Sequence, residues 1–191
     1  MAKVFLALVH YPNYNKRGEV IATAVTNLDV HDIARSSCTY GLAGYFIIHP
    51  VASQQAVVKE IASYWQEGYG ATYNPDRKRA IDLICVQESI ESTIDAITAQ
   101  EGQPPLVVTT DACLHDKSIG YQTLRQQIET DERPILLLFG TGWGLEKSVL
   151  DKADAILHPI FGPVPYNHLS VRSAVAIILD RLLGEAWYGQ G

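Results

Sequence analysis

The stretch Ile135-Leu136-Leu137-Leu138-Phe139-Gly140-Thr141-Gly142-Trp143-Gly144-Leu145 decides how the rest of the chain is read. Its first five residues form an unbroken apolar run bounded by Pro134 and Gly140, too short for a helix of ordinary length. Such a run marks a strand buried on both faces, which belongs inside a parallel sheet covered by helices above and below. The three glycines that follow permit positive φ values and close approach of the backbone to another group. Loops at the carboxyl ends of parallel strands are where open α/β sheets hold their ligands.

The same pattern recurs outward from this point. Residues 3–10 (KVFLALVH), 44–49 (GYFIIH), 81–86, 106–109 and 155–157 read as further strands, with a short one at 21–25. Between them, residues 30–40, a segment from Ser53 to a stop near Gly68, and residues 89–99, 119–129, 147–152 and 170–183 read as helices. Asn27 and Asp29 suit the cap of the first helix and Ser53 that of the second. Residues 68–79 read as a loop, and Cys85, inside an apolar run, as a buried small hydrophobe. Strands and helices thus alternate without a linker or an internal repeat. The expected fold is α/β, a mostly parallel sheet with helices on both faces, in a single domain over residues 1–191.

Composition narrows the function classes. A hydrophobic fraction of 47% and a charged fraction of 19% exclude wholesale disorder. A formal net charge of −6, from 15 basic and 21 acidic residues, gives no support for tight nonspecific nucleic-acid binding, while leaving room for a local basic patch. The three cysteines are widely spaced and the six histidines scattered, so no metal site is expected. The apolar run after Lys3 is too short to span a bilayer, and no convincing cleavage site follows it. The chain therefore reads as cytoplasmic, in a reducing compartment, with no membrane partner.

The glycine loop fails two familiar nucleotide motifs. A dinucleotide fingerprint needs G-x-G-x-x-G after an early strand, whereas this loop is G-x-G-x-G and lies late. A phosphate loop needs glycine before Lys-Ser, and Glu146 precedes Lys147-Ser148. Either a nucleoside cradle or a tightly packed turn fits what is left. A second unusual stretch, His158-Pro159-Ile160-Phe161-Gly162-Pro163-Val164-Pro165-Tyr166, is stiffened by prolines and suits a rigid pocket wall. Asn167 and Ser170 after it suit either a helix cap or a site.

Taken together, the order and separation of these two loops resemble the cofactor motifs of the SPOUT superfamily of RNA methyltransferases. Residues 137–145 resemble its second motif, and Tyr166-Asn167-His168-Leu169-Ser170-Val171-Arg172 entering an alanine-rich helix resembles the third. Asn27 with Arg35, then Gly41 and the strand at Tyr45, resembles the first. The chain looks most like a compact bacterial group without an appended RNA-binding domain. The resemblance implies a C-terminal trefoil knot, a homodimer, and S-adenosylmethionine (SAM) as cofactor. The SAM-binding residues it implies are Leu138, Phe139, Gly140, Thr141, Gly142 and Gly144 in one loop, and Leu157, His158, Pro159, Ile160 and Gly162 in the next. Pro165, Tyr166, Asn167, Leu169 and Ser170 complete the set. Many ribose-methylating members carry Gly-Ser-Glu where this chain has Gly140-Thr141-Gly142, which leaves the methyl acceptor open.

Methyl transfer from a sulfonium needs in-line positioning and, for some acceptors, removal of a proton. Arg35 is expected to contact the acceptor or a phosphate, because a guanidinium is a permanent cation suited to anions and unsuited to proton abstraction. A helix-surface ion pair with Asp32 is the competing role. Asn27 suits ordering of Arg35 or capping. Asn167 and His168 join the catalytic set, His168 as a general base, and Asp111 with His115 form a second base candidate. Lys16 and Arg17, and Arg77, Lys78 and Arg79 behind Tyr69 and Tyr73, suit contact with the RNA substrate, a tRNA or rRNA. A noncatalytic RNA- or nucleotide-binding protein and a small-molecule methyltransferase are the competing functions.

Overall fold

The computed structural model describes residues 1–185. The chain runs β1 (Val4–Val9), β2 (Asn13–Tyr14), β3 (Val20–Ile21), α1 (Asn27–Thr39), β4 (Gly44–Ile48), α2 (Ala52–Gln66), α3 (Tyr69–Tyr73), α4 (Pro75–Ile81) and β5 (Ile84–Gln87). It continues through α5 (Ile90–Glu101), β6 (Leu106–Thr110), β7 (Ser118–Ile119), α6 (Tyr121–Thr130), β8 (Ile135–Phe139), α7 (Lys147–Lys152), β9 (Ala155–Leu157) and α8 (Val171–Leu183). Seven strands form one parallel sheet in the order β5-β4-β1-β8-β6-β9-β7, and β2 and β3 make a small antiparallel hairpin beside it.

The apolar run of residues 135–139, strand β8, lies near the middle of this sheet, between β1 and β6. Ile135, Leu137 and Phe139 project into one core with Leu6, Leu8 and Ile47. Leu136 and Leu138 project into the other, with Ala7, Val9 and Phe46. The continuous hydrophobicity of β1, β4 and β8 therefore reflects two buried faces, as parallel sheets require. Helices α1, α6 and α8 cover the first face through Val30, Ile33, Leu124, Ile128, Val175 and Leu179. Helices α5 and α7 cover the second through Ile97, Ile94, Val149 and Leu150.

Strand β9 lies between β6 and β7, which are themselves joined by residues 111–117. Helix α7, before β9, packs on one face, and α8, after it, packs on the other. The chain thus crosses from one face of the sheet to the other around β9.

Several local expectations are corrected. Thr26, not Asn27 or Asp29, caps α1, its hydroxyl accepting from the Asp29 backbone N–H. The N-cap of α2 is Val51, without a side-chain bond, so Ser53 lies inside the helix. Residues 68–79 form α3 and most of α4, because Asn74 caps α4 through the Arg77 N–H and Pro75 occupies its first turn. That displaces β5 to Ile84–Gln87. As an edge strand β5 covers one face poorly, and Cys85 is exposed there. Ile119 belongs to β7 and not to α6, and the short strand expected at 21–25 is β3, ending at Ile21.

Candidate functional site

Residues 10–26, 49–51, 111–117, 140–146 and 158–170 all leave the carboxyl edge of the sheet. The glycine loop after β8 is fastened to β1 by Asn13, whose side chain is fully buried. Its Nδ2 donates to the Val9 carbonyl at 2.8 Å and its Oδ1 accepts from the Thr141 N–H at 3.0 Å. The hairpin adds Trp143 N–H to the Tyr14 carbonyl and Tyr14 N–H to the Gly144 carbonyl, each 2.9 Å. Gly142 lies at φ 61°, and a Cβ there would come within 2.9 Å of the Tyr14 carbonyl oxygen. A Cβ on Gly140 would sit 2.9 Å from Asn13 Oδ1, Leu145 Cγ and Leu145 N alike. Close packing explains two of the three glycines, as the packed-turn reading expects.

Beneath this loop lies a polar cluster. Thr23 and Thr141 share a hydroxyl–hydroxyl bond of 2.5 Å, Thr23 Oγ1 lies 2.9 Å from His10 Nδ1, and the Thr23 carbonyl lies 3.1 Å from His49 Nε2. The two rings are 5.8 Å apart. Burial, and then the neighbouring His49, push His10 down to about 4, and burial also lowers His49. Asn13, His10, Thr23 and His49 escaped the sequence reading. The signal was a polar residue immediately after each of two wholly apolar strands, at His10 and His49.

The predicted cofactor residues separate into two kinds. Leu138, Phe139 and Leu157 are buried in the cores, so they offer a ligand backbone groups alone. The segment from Ile160 to Leu169 is different. Its backbone N–H and C=O groups make no backbone–backbone hydrogen bond among the described residues, and Phe161, Val164 and Tyr166 are 64%, 61% and 68% exposed. His158 N–H donates to the Ile119 carbonyl at 2.9 Å. Pro159 is buried, Gly162 faces open space, and Pro165 is exposed. Asn167 Nδ2 donates to the Ala112 carbonyl at 3.0 Å, so it staples two edge loops and caps no helix. His168 packs edge-on to Tyr166, 5.4 Å away. Ser170 caps α8 by accepting from the Ser173 N–H.

Arg35 lies on the exposed side of α1, in an open groove of about 560 Å³ whose other wall carries Ser170, Arg172 and Ser173 of α8. The ion pair foreseen with Asp32 does not form. Arg172 takes both Asp32, at 3.0 Å, and Asp29, at 3.4 Å. Among the described residues the Arg35 and Asn27 side chains have no hydrogen-bond or ion-pair partner, and no bond joins one to the other. Eight residues of helix separate them by about 12 Å of rise, so Asn27 neither caps α1 nor holds Arg35. Elsewhere on the edge, His115 Nε2 and Asp111 Oδ2 are paired at 2.7 Å.

Lys16 and Arg17 project from the hairpin that clamps the glycine loop, whereas Arg77, Lys78 and Arg79 lie on α4, beside α1. Lys78 is paired with Asp82 at 3.0 Å. A second cavity, of about 420 Å³, lies on the opposite face between Ile94, Val149 and Leu138, away from the proline-rich loop. Among the described residues no cluster of histidine, cysteine and carboxylate has metal-binding geometry, and no helix is long and apolar enough to cross a membrane.

A family described as SAM-dependent RNA methyltransferase matches residues 3–184. The chain belongs to that family. Its cofactor is therefore SAM, and the resemblance to SPOUT enzymes is borne out. A tRNA (guanine-N(1)-)-methyltransferase of Oleidesulfovibrio alaskensis is 44% identical over 183 residues, 96% of this chain but 42% of that protein. This chain thus spans less than half of that relative. An uncharacterized protein of Aquifex aeolicus is 40% identical, with 94% of this chain and 87% of that one covered. Solved structures share the fold at low identity. A probable methylase family protein from Haemophilus influenzae has TM-score 0.64 and 18% identity, over 95% of this chain and 65% of that one. The SpoU methyltransferase AviRb from Streptomyces viridochromogenes, in complex with AdoMet, has TM-score 0.56 and 18% identity, over 95% and 57%.

Proposed function

We propose that this member transfers the methyl group of SAM to a nucleotide of tRNA or rRNA, with the cofactor held at the carboxyl edge by residues 138–144, 157–162 and 165–170. The observation that carries the placement is the 160–169 segment. It holds a run of backbone donors and acceptors without backbone partners, flanked by exposed apolar side chains, next to a glycine loop locked by Asn13. Such a segment suits an adenosine moiety, whose rings seek apolar cover and whose polar edges seek backbone groups. SAM, when bound, supplies an electrophilic methyl on a sulfonium. The chain's own residues then orient the acceptor and shield the site from water. The place of β9 between β6 and β7 is consistent with a trefoil knot, which would fix the two later loops against the first.

Arg35 is assigned to the RNA, as a phosphate or oxyanion contact, because Arg172 occupies the carboxylates that would otherwise neutralise it. The Asp111–His115 pair suits proton removal better than the solvent-exposed His168, since a carboxylate orients the imidazole. Lys16 and Arg17 suit RNA phosphates at the same edge. Exposed Trp143, Phe161, Tyr166 and Leu169 support a homodimer in which a second copy completes the site. The guanine-N1 activity named for the longer relatives belongs to proteins that lie more than half outside the match.

Titration calorimetry with SAM and with its demethylated product tests the cofactor placement. Saturable binding that weakens on Gly162→Val is expected, and absence of saturable binding overturns it.

A further inference from the structure

A cluster of aromatic and cationic side chains lies outside the carboxyl edge, on α1, α2, α3 and α4. Its hub is Trp65. The Arg77 guanidinium lies over its ring at 4.5 Å, and His31 of α1 and Tyr64 meet it edge-on at 5.5 and 5.2 Å. Gly70 packs on the same indole so tightly that a Cβ would come within 2.7 Å of Cε3. That contact sets the position of α3, and α3 holds Tyr69 and Tyr73 out into solvent. The two phenols are 72% and 73% exposed, yet they stack on one another, with centroids 5.9 Å apart and planes 24° from parallel.

Two exposed aromatic rings held parallel on a short helix bury little of their area in this chain. Their core contribution is small, and a flat partner laid onto the exposed face of the pair is the chemistry they match. The charges beside them are mixed, with Asp76 in the first turn of α4 followed by three basic residues. Lys78 is neutralised by Asp82, but neither Arg79 nor Arg35 makes an ion pair among the described residues. Arg77 and Arg35 flank His31 from α4 and α1, with the Asp32 carboxylate between them at the groove that holds Arg35.

We propose that Tyr69 and Tyr73 form a stacking platform for a single-stranded base of the RNA substrate, with Arg79 and Arg77 taking the adjoining phosphates and leading the strand toward Arg35. This rests on the methyl-transfer reading for its RNA but not for its geometry. Aromatic stacking tolerates any base, whereas the phosphate contacts supply salt-dependent affinity. The platform therefore selects for an unstacked nucleotide over a duplex.

The test is fluorescence anisotropy with a labelled oligouridylate of about ten nucleotides and a duplex of equal length. Alongside it, calorimetry with SAM reports folding of each variant. The double variant Tyr69→Ala/Tyr73→Ala should bind the single strand about tenfold more weakly or worse. Tyr69→Phe/Tyr73→Phe should bind it as the unaltered protein does, and SAM affinity should be the same in all three. Arg79→Ala should reduce the log–log salt slope by about 0.7. Should the double alanine variant lose SAM binding, Tyr73→Ala alone replaces it. Equal single-strand affinity in the alanine and phenylalanine variants overturns the proposal, as does equal affinity of the unaltered protein for strand and duplex, or no binding of either. A change in molar mass without a change in RNA affinity assigns the tyrosines to a second copy and also overturns it. Loss of SAM binding by the unaltered protein would sink the methyl-transfer reading while the RNA arms remain readable, so the two failures are distinguishable.

Discussion

Replacing Asn13 with alanine removes a buried side chain that ties the glycine loop to the first strand. Two hydrogen bonds disappear, at 2.8 Å to the Val9 carbonyl and at 3.0 Å from the Thr141 N–H. A net hydrogen bond contributes about 1 kcal/mol, and a buried backbone group left without a partner costs about 1–3 kcal/mol. Among the described residues Thr141 N–H has no other partner, whereas the Val9 carbonyl retains the Thr141 hydroxyl at 3.3 Å. The sum is therefore about 2–4 kcal/mol. For a chain of this length each kcal/mol shifts Tm by about 2–4 °C, so a fall of about 5–15 °C is expected by calorimetry or circular dichroism. The same change frees residues 140–144, and SAM affinity should drop about tenfold through lost preorganisation. A Tm within about 2 °C of the unaltered protein, together with unchanged SAM affinity, would refute the view that Asn13 holds the cofactor loop in place.

Acid should destabilise the protein through His10. Its folded-state value, about 4, lies below the ordinary 6.5, so the unfolded chain takes up the proton first. Stability from this group is complete above about pH 6.5 and is lost as pH falls toward 4, by about 3 kcal/mol in all. Denaturant titrations at pH 7 and pH 4.5 should show the loss, and His10→Gln should flatten it. Gly140→Ala places a Cβ against three atoms at 2.9 Å and should cost about 1–3 kcal/mol in urea unfolding while weakening SAM binding. Arg35→Ala should lower methyl transfer about 100-fold or more, with SAM affinity by calorimetry nearly unchanged, because the residue lies in the α1–α8 groove away from the glycine loop. An equal loss in both readouts would remove Arg35 from the RNA contact.

The apolar runs made the sheet legible, since the doubly buried strands β1, β4 and β8 admit no other reading once their length is noted. The helix α3 was not legible, because Tyr and Gly are poor local signals and its place is set by the contact of Gly70 with Trp65, whereas α4 carried a local signal in Asn74-Pro75 that the reading of 68–79 as a loop passed over. Cys85 shows the limit of a run of apolar residues: it marks a strand but not whether that strand lies at an edge. The glycine and proline loops of the site were visible as unusual composition. What held them was not. Asn13 and Arg172 act over 128 and 140 residues of sequence, through bonds that local patterns do not encode.

The most direct measurement is to incubate the protein with methyl-labelled SAM and total RNA, digest the RNA and identify the labelled nucleoside by mass spectrometry. The methyl-transfer account predicts label in one nucleoside of tRNA or rRNA, reduced about 100-fold or more by Arg35→Ala. Saturable SAM binding without label in any RNA nucleoside would contradict it.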